Sequence, residues 1–291
     1  MPAILMNCEA IAEKYFSQVK AELEQMSQRP RVKMFLATFD EGSESYSWIM
    51  RRRFEAVGID SILERVGTPA DLERKILATA TDDEITGCFV FYPIRFPEIE
   101  DYQFMKMVPA HKDVEGLSAE NVYRLIHYRK TFEGTPCKAV VPCTPKAVIK
   151  LLAEYGIPIK GCDVVIVNKS YSLGAPLRRM FDNLGATVTA CDINTKSDSL
   201  KHYVRNADIV VTAVPVEVEL FDEADVKPGA TIINCSFVNN FDVERVSEVA
   251  GHISYRQGKN YIGQITTAMA AVNVGYLMKY KMFQEKSGAL S

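Results

Sequence analysis

A chain of 291 residues, 47% hydrophobic and 24% charged, has room for a sizeable core and more readily forms two domains than one. Its formal charge of −3 comes from 37 acidic and 34 basic residues mixed along the chain, which leaves no basic tract for nucleic acid and no charged docking arm. The seven cysteines (Cys8, Cys88, Cys137, Cys143, Cys162, Cys191, Cys235) form no C-x-x-C pair and the four histidines no ligand spacing, which argues for reduced thiols and against a disulfide framework or a metal site.

The start, "MPAILMNCEAIAEKYF", turns acidic at once and reads as neither a signal nor a transit peptide. The apolar runs are strand-sized, so the expectation is a cytoplasmic protein without a membrane span. In chain order, a helix over 8–27 precedes the strand "RVKMFLATF" (31–39), and a helix over 44–57 stops at Gly58. A short strand follows at 60–65, then a helix over 69–81 opened by Thr68 as cap and Pro69 in the first turn. The strand "TGCFVFYPI" (86–94) runs into the loop "HKDVEG" (111–116), with a helix over 119–127 beyond it. After "VVPCTP" (140–145) and a helix to about 155 comes a tighter series: strand 163–168, helix, strand 187–191, helix 198–206, strand 208–214, strand 230–236. That series is a mononucleotide-binding βαβαβ unit with an extension, and the segment 265–285 is helical. The alternation predicts an α/β protein with parallel strands, divided near 143–146.

The loop "NKSYSLG" joins strand 163–168 to a helix in which Leu177, Met180, Phe181 and Leu184 share one face. Ser170 to Gly174 therefore sit at a helix N-terminus, where free N–H groups and the positive dipole end favour a phosphate. The loop has one glycine where the dinucleotide fingerprint has three, so by itself it is also an ordinary strand–helix joint. Asp192 ends the next strand, 18 residues after Gly174, where a carboxylate accepts both ribose hydroxyls of an adenosine and repels a 2′-phosphate. That points to NAD over NADP; a strand-end aspartate capping the next helix is the alternative, and Lys169 is a nearby cation that favours a phosphate.

"KDVEGLSAENVYRL" (112–125), "VVPCTPKAVIKLL" (140–152), "VVIVNKSYSLGAPL" (164–177), "VKPGATIINCS" (226–236) and "TTAMAAVN" (266–273) occur in that order. Together they resemble the methylenetetrahydrofolate dehydrogenase/cyclohydrolase family nearly end to end. The resemblance implies a catalytic, folate-binding α/β domain built from both chain ends (1–144 plus 266–291) and a Rossmann-like parallel-sheet NAD-binding domain (145–265). It also implies a folate cleft where they meet, and a homodimer.

The departures from the family pattern are specific. Its bifunctional members carry a lysine four residues after a tyrosine; "SYSWIMRRR" supplies Tyr46 but places Met50 at the lysine position. Their glutamine before "LPLP" is replaced by Phe91, and their "PGGVGP" loop by "QGKNYIGQ" (257–264), while Thr266 remains. The acid of the "KDVDG" motif becomes Glu115, one methylene longer. Arg51, Arg52 and Arg53 point away from position 50 on a helix and do not replace the lysine in place. Cyclohydrolysis needs proton transfer that methionine cannot perform, whereas hydride transfer to a nicotinamide asks no side chain to take a proton. The expectation is an NAD-dependent dehydrogenase without cyclohydrolase activity. The alternatives are a bifunctional enzyme using a non-standard residue and a non-catalytic protein that binds dinucleotide or folate.

By resemblance, Tyr46 stacks on the aminobenzoate of the folate and Glu115 bonds the pterin edge, an anionic Glu115 also favouring the cationic methenyl product. Lys169, Ser170, Ser172, Leu173 and Gly174 surround the pyrophosphate, and Asp192 and Ile193 lie beside the adenosine. Ala213, Val214, Pro215 and Cys235 face the nicotinamide, with Thr266 closing the site. Cys235 reads as a small wall residue rather than a nucleophile, since no base lies near it in sequence.

Overall fold

The computed structural model describes residues 2–38, 41–94, 96 and 99–288. In chain order its elements are β1 (Ile4–Leu5), α1 (Cys8–Glu24), β2 (Arg31–Leu36), α2 (Glu41–Ala56), β3 (Asp60–Arg65), α3 (Pro69–Ala80), β4 (Gly87–Phe91), α4 (Tyr102–Met105), α5 (Ala119–Ile126), α6 (Cys143–Glu154), β5 (Asp163–Val167), α7 (Gly174–Asn183), β6 (Thr187–Cys191), α8 (Ser197–Asn206), β7 (Ile209–Thr212), β8 (Thr231–Asn234), α9 (Val243–Val249), β9 (His252–Ser254) and α10 (Ile262–Lys286).

Local chemistry sets several of these ends. Thr68 accepts a hydrogen bond from the Asp71 N–H at 3.2 Å with Pro69 in the first turn, as the sequence predicts for α3. Beyond α7, Gly185 takes φ +84°, a left-handed turn that a side chain would resist. β4 ends at Phe91 rather than 94, because Pro93 has no N–H to give to the ladder. Phe39, the last residue of the strand expected at 31–39, lies outside the described residues.

Contacts divide the chain into two units: Met1–Glu13 with Thr144–Thr266, and Lys14–Cys143 with Thr267–Ser291. The first unit holds a six-stranded parallel sheet in the order β1-β9-β8-β7-β5-β6. Successive strands depart in opposite directions from β5, to β6 on one side and β7 on the other, so the carboxyl end of β5 is a topological switch point, where α/β sheets bind ligands. Val165, Val167, Leu200, Val204, Val210 and Ile232 fill its core. The second unit holds a three-stranded parallel sheet, β3-β2-β4, with Phe35, Leu72, Ile76 and Val90 in its core. β4 is buried at all five positions, which is why it reads as an unbroken apolar run.

The first thirteen residues differ from expectation. They group with the dinucleotide-type sheet because β1 pairs in parallel with β9, Ile4 opposite His252 and Leu5 opposite Ile253. Asn260 then fixes the chain after β1, accepting from the Cys8 N–H (2.7 Å) and donating to the Met6 carbonyl (3.1 Å).

Candidate functional site

In the first unit the candidate groups gather at the carboxyl ends of the strands. The loop after β5 is organised by Asn168, which the sequence reading did not single out. Its Oδ1 accepts from the Ser170 N–H (2.9 Å), the Ser170 hydroxyl (2.7 Å) and the Gly174 N–H (3.1 Å), while its Nδ2 donates to the Ala213 carbonyl (2.9 Å). A Cβ on Gly174 would stand 2.0 Å from the Asn168 carbonyl oxygen, so that glycine is required by close backbone approach. The expectation of free N–H groups at this helix start needs correcting. Leu173 N–H donates to the Ser170 hydroxyl (3.2 Å), Gly174 N–H to Asn168, Ala175 N–H to the Ser170 carbonyl (3.0 Å), and Pro176 has no N–H. The first turn of α7 is closed by its own loop; the Ser170 and Ser172 hydroxyls, 3.5 Å apart, are the polar groups beside it.

Two further asparagines hold the neighbouring loops. Asn240 accepts from the Val214 N–H (3.0 Å) and donates to the Val214 carbonyl (3.0 Å), so a side-chain amide takes the place of a strand neighbour. Asn234 accepts from the Ser236 N–H (3.0 Å) and donates to the Val238 carbonyl (2.8 Å). The signal available in the sequence was an asparagine at the end of an apolar run, as in "VVIVN" and "TIIN".

Asp192 follows β6. Its Oδ1 accepts from the Asn194 N–H (3.0 Å) and its Oδ2 pairs with Lys169 Nζ at 3.2 Å, so the two charged residues weighed against each other in sequence are partners. Lys169 holds the Asp192 carboxyl below its ordinary range. Ile193, next in the chain, is 99% exposed. Pro215 is exposed, and Cys235 is half-buried with its N–H donating to the Thr212 carbonyl (2.7 Å). Burial first, then neighbouring Cys8, pushes the Cys235 thiol far up, which fits a wall residue and not a nucleophile. Thr266 lies early in α10, its hydroxyl bonded to the Ile262 carbonyl (3.2 Å) and to Thr144 (3.4 Å).

In the second unit α2 presents Tyr46 and Met50 one turn apart. Tyr46 meets Phe91 edge-on with ring centroids 5.9 Å apart, and Met50 has no exposed surface. The "KDVEG" loop runs beside β4, its Lys112 carbonyl accepting from the Cys88 N–H (2.6 Å) and its Val114 N–H donating to the Cys88 carbonyl (3.1 Å). Its three charged residues have separate tasks. Lys112 Nζ donates to the Thr79 (3.0 Å) and Asp82 (2.6 Å) carbonyls at the end of α3. Asp113 accepts from the Gly116 N–H (2.8 Å), the Ser118 N–H (2.7 Å) and Asn121 Nδ2 (2.9 Å), which folds the loop onto α5. Gly116 is needed at φ +80°, where a Cβ would stand 2.5 Å from the Val141 carbonyl carbon.

Glu115 is what remains. Its Oε2 is buried with no hydrogen-bond partner among the described residues, and burial, then the nearby Asp113, raises its carboxyl from 4.5 to about 8. That shift favours the protonated form over the anion expected at this position. Tyr46, Phe91 and Glu115 thus belong to one region: burial, then Asp113 and to a smaller extent Glu115, pushes up the phenol of Tyr92, next to Phe91.

No group of three or more metal-ligating side chains occurs among the described residues, and none of their helices is long and apolar enough to cross a membrane.

Comparison with known proteins assigns these two halves. Residues 6–115 match the tetrahydrofolate dehydrogenase/cyclohydrolase catalytic domain, and residues 142–285 match the NAD(P)-binding domain of the same family. A methylenetetrahydrofolate dehydrogenase [NAD(+)] from Dictyostelium discoideum is 30% identical over 292 residues, covering 91% of this chain and 90% of that protein. A bifunctional protein FolD from Methanoculleus marisnigri is also 30% identical, over 92% of this chain and 90% of its own length. The solved structure of the NAD-dependent 5,10-methylenetetrahydrofolate dehydrogenase from Saccharomyces cerevisiae aligns with a TM-score of 0.89 at 25% identity, over 98% of this chain and all of that one. With catalytic and NAD(P)-binding domains both present, the chain belongs to the tetrahydrofolate dehydrogenase/cyclohydrolase family.

Proposed function

We propose that this chain oxidises 5,10-methylenetetrahydrofolate to 5,10-methenyltetrahydrofolate with NAD and has no cyclohydrolase activity. The observation that carries the reading is the pair Met50 and Phe91, both packed in the interior and neither bearing a proton to exchange. Hydrolysis of the methenyl product needs water brought to an amidinium carbon with proton transfers at nitrogen. Oxidation needs the methylene carbon held against its acceptor, with the lone pair of the adjacent nitrogen expelling hydride. NAD, when bound, accepts that hydride at C4 of its nicotinamide.

The chain's own residues bind and orient. Tyr46 stacks on the aminobenzoate, and protonated Glu115 donates to the pterin edge. Ser170 and Ser172 supply hydroxyls to the pyrophosphate, with Leu173 and Gly174 shaping the loop. Asp192 accepts the ribose hydroxyls, and its retained charge opposes a 2′-phosphate despite Lys169; Ile193 covers the adenosine. Ala213, Val214, Pro215 and Cys235 line the nicotinamide end and Thr266 closes it. In this reading 145–265 binds NAD and 14–144 with 266–291 binds folate, in a cytoplasmic homodimer.

The test is a paired assay of NAD and NADP with methylenetetrahydrofolate, followed by methenyltetrahydrofolate hydrolysis. Reduction of NAD in preference to NADP, with hydrolysis at the uncatalysed rate, is the expected outcome. Saturable NAD binding without any absorbance change on adding the folate would instead indicate a binding protein. Met50→Lys alone leaves hydrolysis absent, because Phe91 offers the amine no polar partner and the site is fully buried; a stable variant that hydrolyses methenyltetrahydrofolate would contradict this. A second reading keeps both activities, and Glu115, with its Oε2 unpartnered and its carboxyl poised near 8, is the observation in its favour as the group that exchanges the proton. Under that reading wild type hydrolyses the methenyl compound and Glu115→Gln does not.

A further inference from the structure

We infer that Asn240 is a positioning residue for the nicotinamide, fixing the loop after β7 so that one peptide group, Pro215–Val216, meets the carboxamide of the coenzyme; the inference rests on the reading above. Loop and asparagine both belong to the unit with the six-stranded sheet. Asn240 is fully buried, and its amide is spent on this one loop. Its Oδ1 accepts from the Val214 N–H (3.0 Å), and its Nδ2 donates to the carbonyls of Val214 (3.0 Å) and Val216 (3.3 Å). Both amide donors are thereby used. The Asn240 main-chain carbonyl accepts from the Leu220 N–H (2.9 Å), so a single residue grips the chain from 214 to 220. What it grips is not core: Pro215 is exposed and Val216 is 59% exposed. A buried amide bonded three times to a surface loop fixes that loop's backbone rather than filling the interior.

Position in the sheet and the polar groups left over indicate the ligand. β7 lies beside β5 on the side away from β6, at the usual strand spacing of about 4.8 Å. A dinucleotide with its adenosine at Asp192 and its pyrophosphate at the serine loop therefore brings its nicotinamide to the loop after β7. The two loops are joined, since Asn168 donates from Nδ2 to the Ala213 carbonyl (2.9 Å) while its Oδ1 organises the serine loop. The Ala213 N–H donates to the Val167 carbonyl (3.4 Å), and Pro215 has no N–H. From 213 to 216, only the Pro215 carbonyl and the Val216 N–H lack a partner among the described residues, and they are the two ends of one peptide. A carboxamide carries both a donor and an acceptor, so it pairs with either end.

The experiment measures equilibrium binding of NAD and of ADP-ribose, which is NAD without its nicotinamide, to wild type, N240D and N240A. N240D keeps an acceptor for the Val214 N–H but turns a carboxylate oxygen toward two carbonyls; N240A removes all three side-chain bonds. Both variants bind NAD about tenfold more weakly and ADP-ribose within about twofold of wild type. A folded variant that binds NAD as wild type does, or loses ADP-ribose in step, overturns the inference. Wild type supplies an independent measure that holds even where both variants fail to fold. The 3-acetylpyridine analogue of NAD, which lacks the amide donors, binds about fivefold more weakly than NAD if the Pro215 carbonyl accepts; the thionicotinamide analogue, a poor acceptor, does so if the Val216 N–H donates. Equal binding of NAD and both analogues overturns the inference. A wild type that binds neither NAD nor ADP-ribose fails the functional reading and the inference with it, whereas one that binds NAD without oxidising methylenetetrahydrofolate fails that reading alone.

Discussion

Glu115 shows how a single side chain acquires its character from neighbours that have already been satisfied. Lys112 and Asp113 take the donors and acceptors around the loop, and the next acid is left buried beside a carboxylate. Because its folded pKa is raised from 4.5 to about 8, the native state keeps a proton that the unfolded chain releases, so stability falls as pH rises through that window, by at most about 1.4 kcal/mol per pH unit. Glu115→Gln removes the effect: urea denaturation at pH 5.5, 7 and 8.5 should show wild type losing ground to the variant, whereas parallel profiles would refute the raised pKa. The acid itself was legible in "KDVEG", but its isolation was not, since that depends on partners such as Asn121 that only the folded loop assembles. Asp192 is the converse case. Its place at a strand end was legible, and its pairing with Lys169 was an open question in sequence. Asp192→Ser is expected to lower the ratio of kcat/KM for NAD to that for NADP by at least about tenfold, since it frees Lys169 for a 2′-phosphate and removes the opposing charge; an unaltered ratio would place cofactor choice elsewhere.

At the level of elements, strands were legible where they are buried or well punctuated: β3 occupies 60–65 and β6 occupies 187–191, as expected. β1 was not legible, because two residues show no alternation and both side chains are exposed. The start of α7 was placed correctly, but its glycine has a different cause from the one that a phosphate loop suggests. Gly174→Ala puts a methyl group 2.0 Å from a backbone oxygen, and neither atom belongs to a side chain able to move aside. The variant should lose about 3 kcal/mol of stability and bind NAD more weakly, as the junction of β5 and α7 opens to admit the methyl group. A denaturation midpoint equal to wild type would show that the backbone relaxes without cost. The asparagines at 168, 234 and 240 escaped the sequence reading because a polar residue after a strand looks like any loop residue until its four or so hydrogen-bonding positions are seen to be filled.

For the molecule as a whole, alternating apolar runs and amphipathic segments were enough to identify an α/β protein with parallel sheets, because each pattern has its own period. How the chain is shared between two units was less accessible, since the pairing of residue 4 with residue 252 leaves no trace in any short window. A ligand that binds only the folded chain raises its apparent stability by mass action, about 2.7 kcal/mol at a hundredfold excess over Kd. NAD should therefore raise the melting temperature more than NADP at equal concentration, and the reverse order would contradict the role given to Asp192.

The strand at Ile4–Leu5 has its hydrogen-bonding neighbour 248 residues later (252 − 4). At roughly 5–20 residues per second, a ribosome takes roughly 12–50 s to make the intervening chain. Throughout that interval the nascent protein carries an unclosed sheet margin, and the residues translated first are among the last to find their place.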